Sequence, residues 1–151
     1  MGTILALDLG TQTGWAIFKD GLIVSGSQSF KTKSVDGAGM RYLRFRRWLD
    51  SLRKEHGIIN EVYFEEVRRH KGTQAAHVYG AFKGVLMMWC EEWLTPYQGV
   101  PVGTIKLFAT GKGNANKEMM IDSAQKCGYD VVDDNQADAI HLLCYAIDAG
   151  T

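Results

Sequence analysis

Acidic residues in three distant parts of the sequence are the side chains whose presence most needs a chemical explanation. Asp8 interrupts the otherwise apolar run "ILALDLG", which begins at residue 4. Burying a lone carboxylate in a strand costs several kcal/mol by rough effective estimates, so Asp8 needs a compensating partner. Other acids that could join it lie far along the chain: Glu65, Glu66, Asp133, Asp134 and Asp138.

If these acids converge, a pair of divalent cations would remove their mutual repulsion. Carboxylate oxygen is the ligand class that magnesium prefers. Two such ions, about 4 Å apart, can clamp the attacking water and the leaving oxygen of a phosphodiester. The simpler alternative is that Asp8 accepts hydrogen bonds from the following turn, and that the other acids are helix caps and surface charges.

The elements that must position these acids follow from hydrophobic periodicity and turn signals. The predicted strands are residues 3–9, 15–18, 22–30, 61–67 and 100–102, and the turn sequences "GTQTG" and "KDG" make the first three antiparallel. The predicted helices are 38–56, 73–94, one ending near 127–128 and a last one within 130–149, and Lys106 is expected in a short helix or turn. This order predicts an α/β fold with a mixed five-stranded sheet, three antiparallel strands followed by two parallel ones, flanked by helices.

Side-chain alternation decides which glutamate can join Asp8. Successive residues of a strand point to opposite faces of the sheet. If the first and fourth strands are neighbours, only one of Glu65 and Glu66 can therefore lie beside Asp8. A last helix whose first turn lies above the same strands would add Asp138.

Length, charge and cysteine content limit the class of protein. The chain has 151 residues, and we expect residues 1–151 to form one domain. The formal net charge is zero, yet residues 31–83 hold twelve Lys or Arg against six Asp or Glu, which gives the chain a basic middle. No apolar run reaches the roughly 20 residues that span a bilayer. Three widely spaced cysteines are expected to be reduced core residues of a cytoplasmic protein.

Four segments together resemble the RuvC family of Holliday-junction resolvases, and most closely its small bacteriophage and prophage members. The segments are "LALDLGTQTGWA", "YFEEVRRHKGTQAAHVYGAFKGV", "VGTIKLFATGKGNANK" and "DNQADAIHLL". The resemblance implies a ribonuclease-H-like fold and a homodimer in the cytoplasm of a bacterium or a phage-infected host. It also implies resolution of four-way or branched DNA by paired, Mg²⁺-dependent phosphodiester hydrolysis with two ions per site, for which Mn²⁺ substitutes.

The resemblance assigns roles to individual residues. It makes Asp8, Glu65 and Asp138 metal ligands, and leaves Glu66 facing the other way. It places Lys117 near the scissile phosphate and Lys106 along the DNA path.

The last helix departs from the family pattern. The family has an acid or a histidine three residues before the last aspartate, where this chain has Asn135. Asp134 lies near the same helix face as Asp138 and is expected to serve as the fourth catalytic and metal-binding acid. The alternative is that Asp134 or Asn135 only caps the helix. His141 lies one turn further on, where a packed helix histidine is the simpler expectation.

Basic residues around the predicted site could bind DNA. Arg68, Arg69 and Lys71 follow the fourth strand directly, and Lys112 lies in the glycine-rich loop before Lys117. Family members often place an aromatic residue at the position of Arg68 to stack on an unpaired base, and a guanidinium can also stack. The simpler alternative for any one of these residues is ordinary surface charge.

The helix predicted over 73–94 has apolar residues around most of its surface. Ala76, Gly80 and Gly84 add a stripe of small residues along which another element could approach closely. The resemblance implies that this helix forms much of a homodimer interface.

Two other functions remain open from the sequence. A ribonuclease-H-like nuclease that processes structured RNA shares the first motif. A junction-binding protein with weak or lost catalysis would explain Asn135. The actin-like ATPases also begin with "DLGT", but they need two related domains, and this chain is too short for both.

Overall fold

The computed structural model describes residues 1–150, which form five strands and five helices. The strands are β1 Ile4–Asp8, β2 Gln12–Lys19, β3 Leu22–Ser29, β4 Glu61–Glu66 and β5 Tyr97–Pro101. The helices are α1 Met40–His56, α2 Thr73–Glu92, α3 Val102–Thr110, α4 Lys117–Lys126 and α5 Asp134–Ala149. Within the described residues, no helix is both long and apolar enough to cross a lipid bilayer.

The five strands form one mixed sheet in the order β3-β2-β1-β4-β5. β1, β2 and β3 are antiparallel, whereas β4 runs parallel to both β1 and β5. This arrangement confirms the predicted α/β fold with three antiparallel strands followed by two parallel ones. It also makes β1 and β4 neighbours, which was the condition for Asp8 to meet a glutamate of β4.

Helices cover both faces of the sheet, and alternation along β1 assigns each side chain to a face. Leu5 and Leu7 belong to the apolar cluster formed with α1 and α2. Ile4 and Ala6 belong to the second cluster, formed with α3, α4 and α5. Because the alternation continues to the end of the strand, Asp8 lies on the same face as Ala6, beneath α5.

Three details differ from the sequence-based expectations. β2 begins at Gln12, inside the expected turn "GTQTG", because Thr13 Oγ1 donates to the Gly10 carbonyl at 2.6 Å and closes a shorter turn. β5 spans Tyr97–Pro101 where 100–102 was expected, since its pairing with β4 fixes a segment that lacks hydrophobic alternation. Cys127 is exposed, so the expectation that all three cysteines lie in the core is wrong for this residue.

Candidate active site

Three carboxylates meet at the carboxyl ends of β1 and β4. One oxygen each from Asp8, Glu65 and Asp138 lies within 4.8 Å of the other two. Asp8 is the last residue of β1, Glu65 is the penultimate residue of β4, and Asp138 is one turn into α5. We call these three residues the acidic cluster.

Gly14 explains how α5 comes close enough to complete the acidic cluster. Gly14 is paired with Asp8 across β1 and β2. A Cβ atom at this position would collide with the carbonyl group of Asn135 in the first turn of α5. The missing side chain therefore lets α5 lie directly on β2, which places Asp138 above the end of β1.

Burial raises the pKa of all three acids of the cluster, and repulsion between carboxylates adds to this effect at Asp8 and Asp138. Burial, followed by repulsion from Glu65 and Asp138, raises the pKa of Asp8 well above its usual value. Burial also raises the pKa of Glu65, against the opposing effects of a hydrogen bond with Asp8 and the charge of Lys106. Burial and repulsion from Glu65 raise the pKa of Asp138 to about 8. At neutral pH the cluster without a cation therefore retains protons that a bound cation would displace.

The acidic cluster fits a divalent cation with a preference for oxygen ligands. Its donors are carboxylate oxygens only, as Mg²⁺ and Mn²⁺ prefer. Asp138 Oδ1 is buried without a hydrogen-bond partner among the described residues. Buried polar atoms almost always have a partner, so this oxygen has an unused coordination site that a metal ion would satisfy.

The first turn of α5 separates the roles of its neighbouring polar residues. Asp133, rather than Asp134 or Asn135, is the N-cap: its side chain accepts from the Gln136 amide at 2.8 Å and from Ser27 Oγ at 2.7 Å. Asp134 is thereby free of a capping role. It lines the same groove as Asp138, and its Oδ2 lies 3.8 Å from Lys117 Nζ.

His141 is on the same helix as Asp138 but is not a member of the acidic cluster. Its side chain is buried, and Nε2 lies 3.0 Å from the carbonyl oxygen of Met120. Burial lowers the pKa of this imidazole. The structure therefore agrees with the simpler expectation of a packed helix histidine.

Two lysines border the acidic cluster. Lys106 on α3 and Lys117 at the start of α4 line a groove of about 280 Å³ together with Glu65, Asp134 and Asp138. We call this cavity the acidic groove. The charge of Lys106 lowers the pKa of Glu65 and of Asp138.

A larger groove of about 680 Å³ continues from the acidic groove, with which it shares Glu65, Val102 and Lys117. Its other walls include Arg68, Arg69 and Lys71. We call it the basic groove. The structure therefore brings the basic residues that follow β4 next to the acidic cluster.

Lys112 and Glu66 lie outside the acidic cluster. Lys112 is exposed in the loop between α3 and α4, where its main chain bonds to Thr110 Oγ1. Glu66 faces α2, and its carboxylate lies 3.6 Å from Lys83 Nζ and 3.8 Å from Arg68 Nη2. Alternation along β4 thus separates the two adjacent glutamates as expected.

Asn116 was not singled out from the sequence, although it lines the acidic groove. It is the N-cap of α4 and accepts from the Met119 amide at 2.9 Å. This cap fixes the helix start that carries Lys117. The local signal was an asparagine at the end of a glycine-rich loop, directly before a helical segment.

The fold and the acidic cluster together define a ribonuclease-H-like α/β protein with an acidic site at the ends of its central strands. The chain is similar to RuvC of Thermus thermophilus in complex with a Holliday junction substrate, with a TM-score of 0.78 and 20% sequence identity over 99% of this chain and 95% of that one. A second Thermus thermophilus RuvC structure matches with a TM-score of 0.73 and 20% identity, over 99% and 97% of the two chains.

A eukaryotic structure matches as well. The yeast mitochondrial Holliday junction resolvase Ydc2 has a TM-score of 0.62 and 12% identity, over 92% of this chain and 75% of that one. No family model and no curated protein matches the sequence. The structural matches confirm the predicted fold and its resemblance to RuvC.

Proposed function

We propose that this protein is a divalent-metal-dependent endonuclease that resolves four-way or branched DNA junctions by paired hydrolysis of phosphodiesters. The observation that carries the proposal is the acidic cluster, in which three ligand oxygens from distant parts of the chain lie within 4.8 Å of one another. The full-length similarity to a RuvC solved with a Holliday junction supports the choice of substrate. The proposal treats residues 1–151 as one nuclease domain acting in the cytoplasm of a bacterium or phage-infected host.

The acids have one shared role in this proposal. Asp8, Glu65 and Asp138 supply oxygen ligands for two Mg²⁺ or Mn²⁺ ions, and Asp134 completes the set from the rim of the acidic groove. When bound, such ions orient the attacking water and neutralise charge that develops on the phosphate. Asp134 is available for this role because Asp133 already caps α5.

The basic residues hold the DNA strand. Lys106 and Lys117 border the acidic cluster, where their ammonium groups would attract the scissile phosphate. Arg68, Arg69 and Lys71 in the basic groove would contact the phosphates or bases beyond it, which makes the affinity strongly salt-dependent. Lys112 adds positive charge on the neighbouring loop.

The substrate is tested with a panel of nucleic acids in Mg²⁺ and in Mn²⁺. The panel contains a synthetic four-way junction, a flap, a linear duplex and a structured RNA. We expect symmetric paired nicks in the junction, and Asp8→Asn should abolish them. Cleavage of the RNA but not of the junction would instead identify an RNA-processing nuclease, and binding without cleavage in either metal would identify a junction-binding protein.

Paired cleavage requires two active sites, and α2 offers the surface that would join two copies. Its solvent-exposed side includes Gly80, Gly84 and Met88, of which Met88 is 47% exposed. A Cβ atom at Gly80 or Gly84 would meet nothing within 4 Å in the monomer. The two glycines therefore leave room for a second helix to approach closely, and we propose a symmetric homodimer through residues 73–94.

Gly84→Leu is expected to convert the proposed dimer into a monomer. The added side chain points into open space within one chain, so the fold should persist, but it blocks a close approach of two α2 helices. Sedimentation equilibrium should show the mass fall to that of one chain of 16.8 kDa. Gly37→Leu is a matched control, because its Cβ is equally unobstructed and lies outside α2. A wild-type protein that is already monomeric, or a variant that stays dimeric, would contradict this interface.

A further inference from the structure

Tyr79 connects α2 to the strand end that carries Glu65. Its side chain is buried, and its hydroxyl donates to the main-chain carbonyl of Glu65 at 2.8 Å. The same hydroxyl accepts from the main-chain N–H of Val67 at 3.2 Å. One side chain therefore holds the main chain on both sides of Glu66.

The sheet does not provide these hydrogen bonds from β1. The pairing between β1 and β4 ends where Leu7 lies opposite Phe64, one residue before Glu65. In a parallel ladder, a neighbouring strand would donate an N–H to the carbonyl of one residue and accept from the N–H two residues later. The Tyr79 hydroxyl makes both of these bonds, and so it replaces a strand partner just beyond the point where β1 stops.

We propose that Tyr79 is a positioning residue for Glu65, which keeps the Glu65 carboxylate in the acidic cluster and thereby raises the affinity of the site for divalent metal. This inference rests on the proposed metal-dependent function. The two bonds constrain the main chain at Glu65 and Val67, so loss of the hydroxyl lets the strand end move relative to Asp8 and Asp138. Outer groups that orient metal ligands typically change metal affinity or activity by roughly 10- to 100-fold.

Packing of the Tyr79 ring can be separated from the action of its hydroxyl. The ring lies against His70 in the loop after β4, with centroids 5.1 Å apart. Tyr79→Phe keeps this contact and the ring volume, and removes only the two hydrogen bonds. Tyr42→Phe is a matched control, because Tyr42 packs its ring against Phe82 on α2 and no hydrogen bond of its hydroxyl is found among the described residues.

The experiment measures Mn²⁺ binding by isothermal titration calorimetry on the purified protein without DNA. We expect Tyr79→Phe to weaken Mn²⁺ binding by roughly 10- to 100-fold, and Tyr42→Phe to leave it unchanged. In the junction cleavage assay, Tyr79→Phe should need more Mg²⁺ than the wild type to reach half of its maximal rate. At saturating Mg²⁺ its maximal rate should be largely recovered. Circular dichroism and thermal melting check that each variant is folded.

A second substitution keeps the test valid if Tyr79→Phe folds poorly. Incorporation of para-aminophenylalanine at position 79 restores a donor to the Glu65 carbonyl, and metal affinity should return towards that of the wild type. A folded Tyr79→Phe variant with a lower melting temperature but unchanged metal binding would overturn the positioning role and leave the proposed nuclease intact. A wild-type protein that binds no Mn²⁺ would overturn the metal site itself, and with it this role for Tyr79.

Discussion

Glu65→Gln is expected to abolish junction cleavage, whereas Glu66→Gln should leave most of the activity. The two glutamates are adjacent and chemically identical, but Glu65 belongs to the acidic cluster and Glu66 pairs with Lys83 on the opposite face of the sheet. Losing a proposed metal ligand should lower the cleavage rate by more than about a thousandfold, beyond the roughly 10- to 100-fold cost of losing a group that only supports a ligand. Glu66→Gln loses only partly exposed ion pairs, with Lys83 and Arg68, and each such pair contributes at most about 1 kcal/mol, or about fivefold.

Single-turnover cleavage of a labelled junction at saturating protein measures both variants, and a gel-shift assay in Ca²⁺ shows that each still binds DNA. Glutamine keeps the size of the side chain, so neither substitution should unfold the protein. Equal losses in the two variants would show that charge near the DNA, and not the acidic cluster, determines activity. An active Glu65→Gln protein would remove Glu65 from the proposed metal ligands.

Much of the acidic cluster could be predicted because each part has a local signal. An acid in an apolar strand marked Asp8, and strict alternation separated Glu65 from Glu66 once β1 and β4 were taken as neighbours. The existence of most strands and helices followed from periodicity and turn residues, whereas the neighbouring positions of β1 and β4 were only assumed. Asp138 was less visible in local sequence: it joined the other two acids only on the assumption that the last helix lies above β1 and β4, and the resemblance to RuvC then assigned it as a metal ligand.

The parts that could not be predicted depend on contacts between distant segments. Asp133, Asp134 and Asn135 all favour N-cap positions, so local preference cannot choose among them. The bond from Ser27 on β3 to Asp133 helps decide the choice, and it leaves Asp134 free. The expected bounds of β5 were wrong for a similar reason, because its pairing with β4, and not a pattern in its own sequence, defines where the strand begins and ends.

The role of Tyr79 on α2 also could not be predicted from the sequence. From sequence, it was one of several residues that make the surface of α2 apolar. Its hydroxyl becomes informative only when α2 packs beneath the end of β4, since both of its hydrogen-bond partners are main-chain groups. Main-chain groups carry no sequence signal, so interactions of this kind are found only in a structure.

Without metal, the wild-type protein should lose stability as the pH rises from about 4 to about 8, and Asp138→Asn should reduce this loss. The folded protein raises the pKa of Asp138 from 3.8 to about 8, so in this range it binds more protons at this site than the unfolded chain does. The free energy of unfolding therefore falls as the pH rises from about 4 to about 8. Below about pH 4 the stabilising contribution of protonated Asp138 is fully present and does not change with pH. The variant should melt at a higher temperature than the wild type at pH 8 in EDTA, and the difference should shrink towards pH 4.

Added Mg²⁺ should make the wild type melt at a higher temperature than Asp138→Asn at pH 8. The cation stabilises the ionised cluster of the wild type, whereas the variant lacks one of the ligands that would bind it. At one hundred times its dissociation constant a ligand adds about 2.7 kcal/mol, which corresponds to roughly 5 to 10 °C for a chain of this size. Thermal melts of the wild type, of Asp138→Asn and of the exposed control Asp122→Asn, each in EDTA and in MgCl₂, measure both effects. If the melting temperatures of the wild type and Asp138→Asn differ by the same amount at every pH and do not change with Mg²⁺, the acidic cluster neither retains protons at neutral pH nor binds metal. We expect the melting temperature to depend on pH and Mg²⁺ in the wild type and in Asp122→Asn, but not in Asp138→Asn. This result would show that the same carboxylates bind the protons and the metal, since a bound cation releases the protons that it replaces.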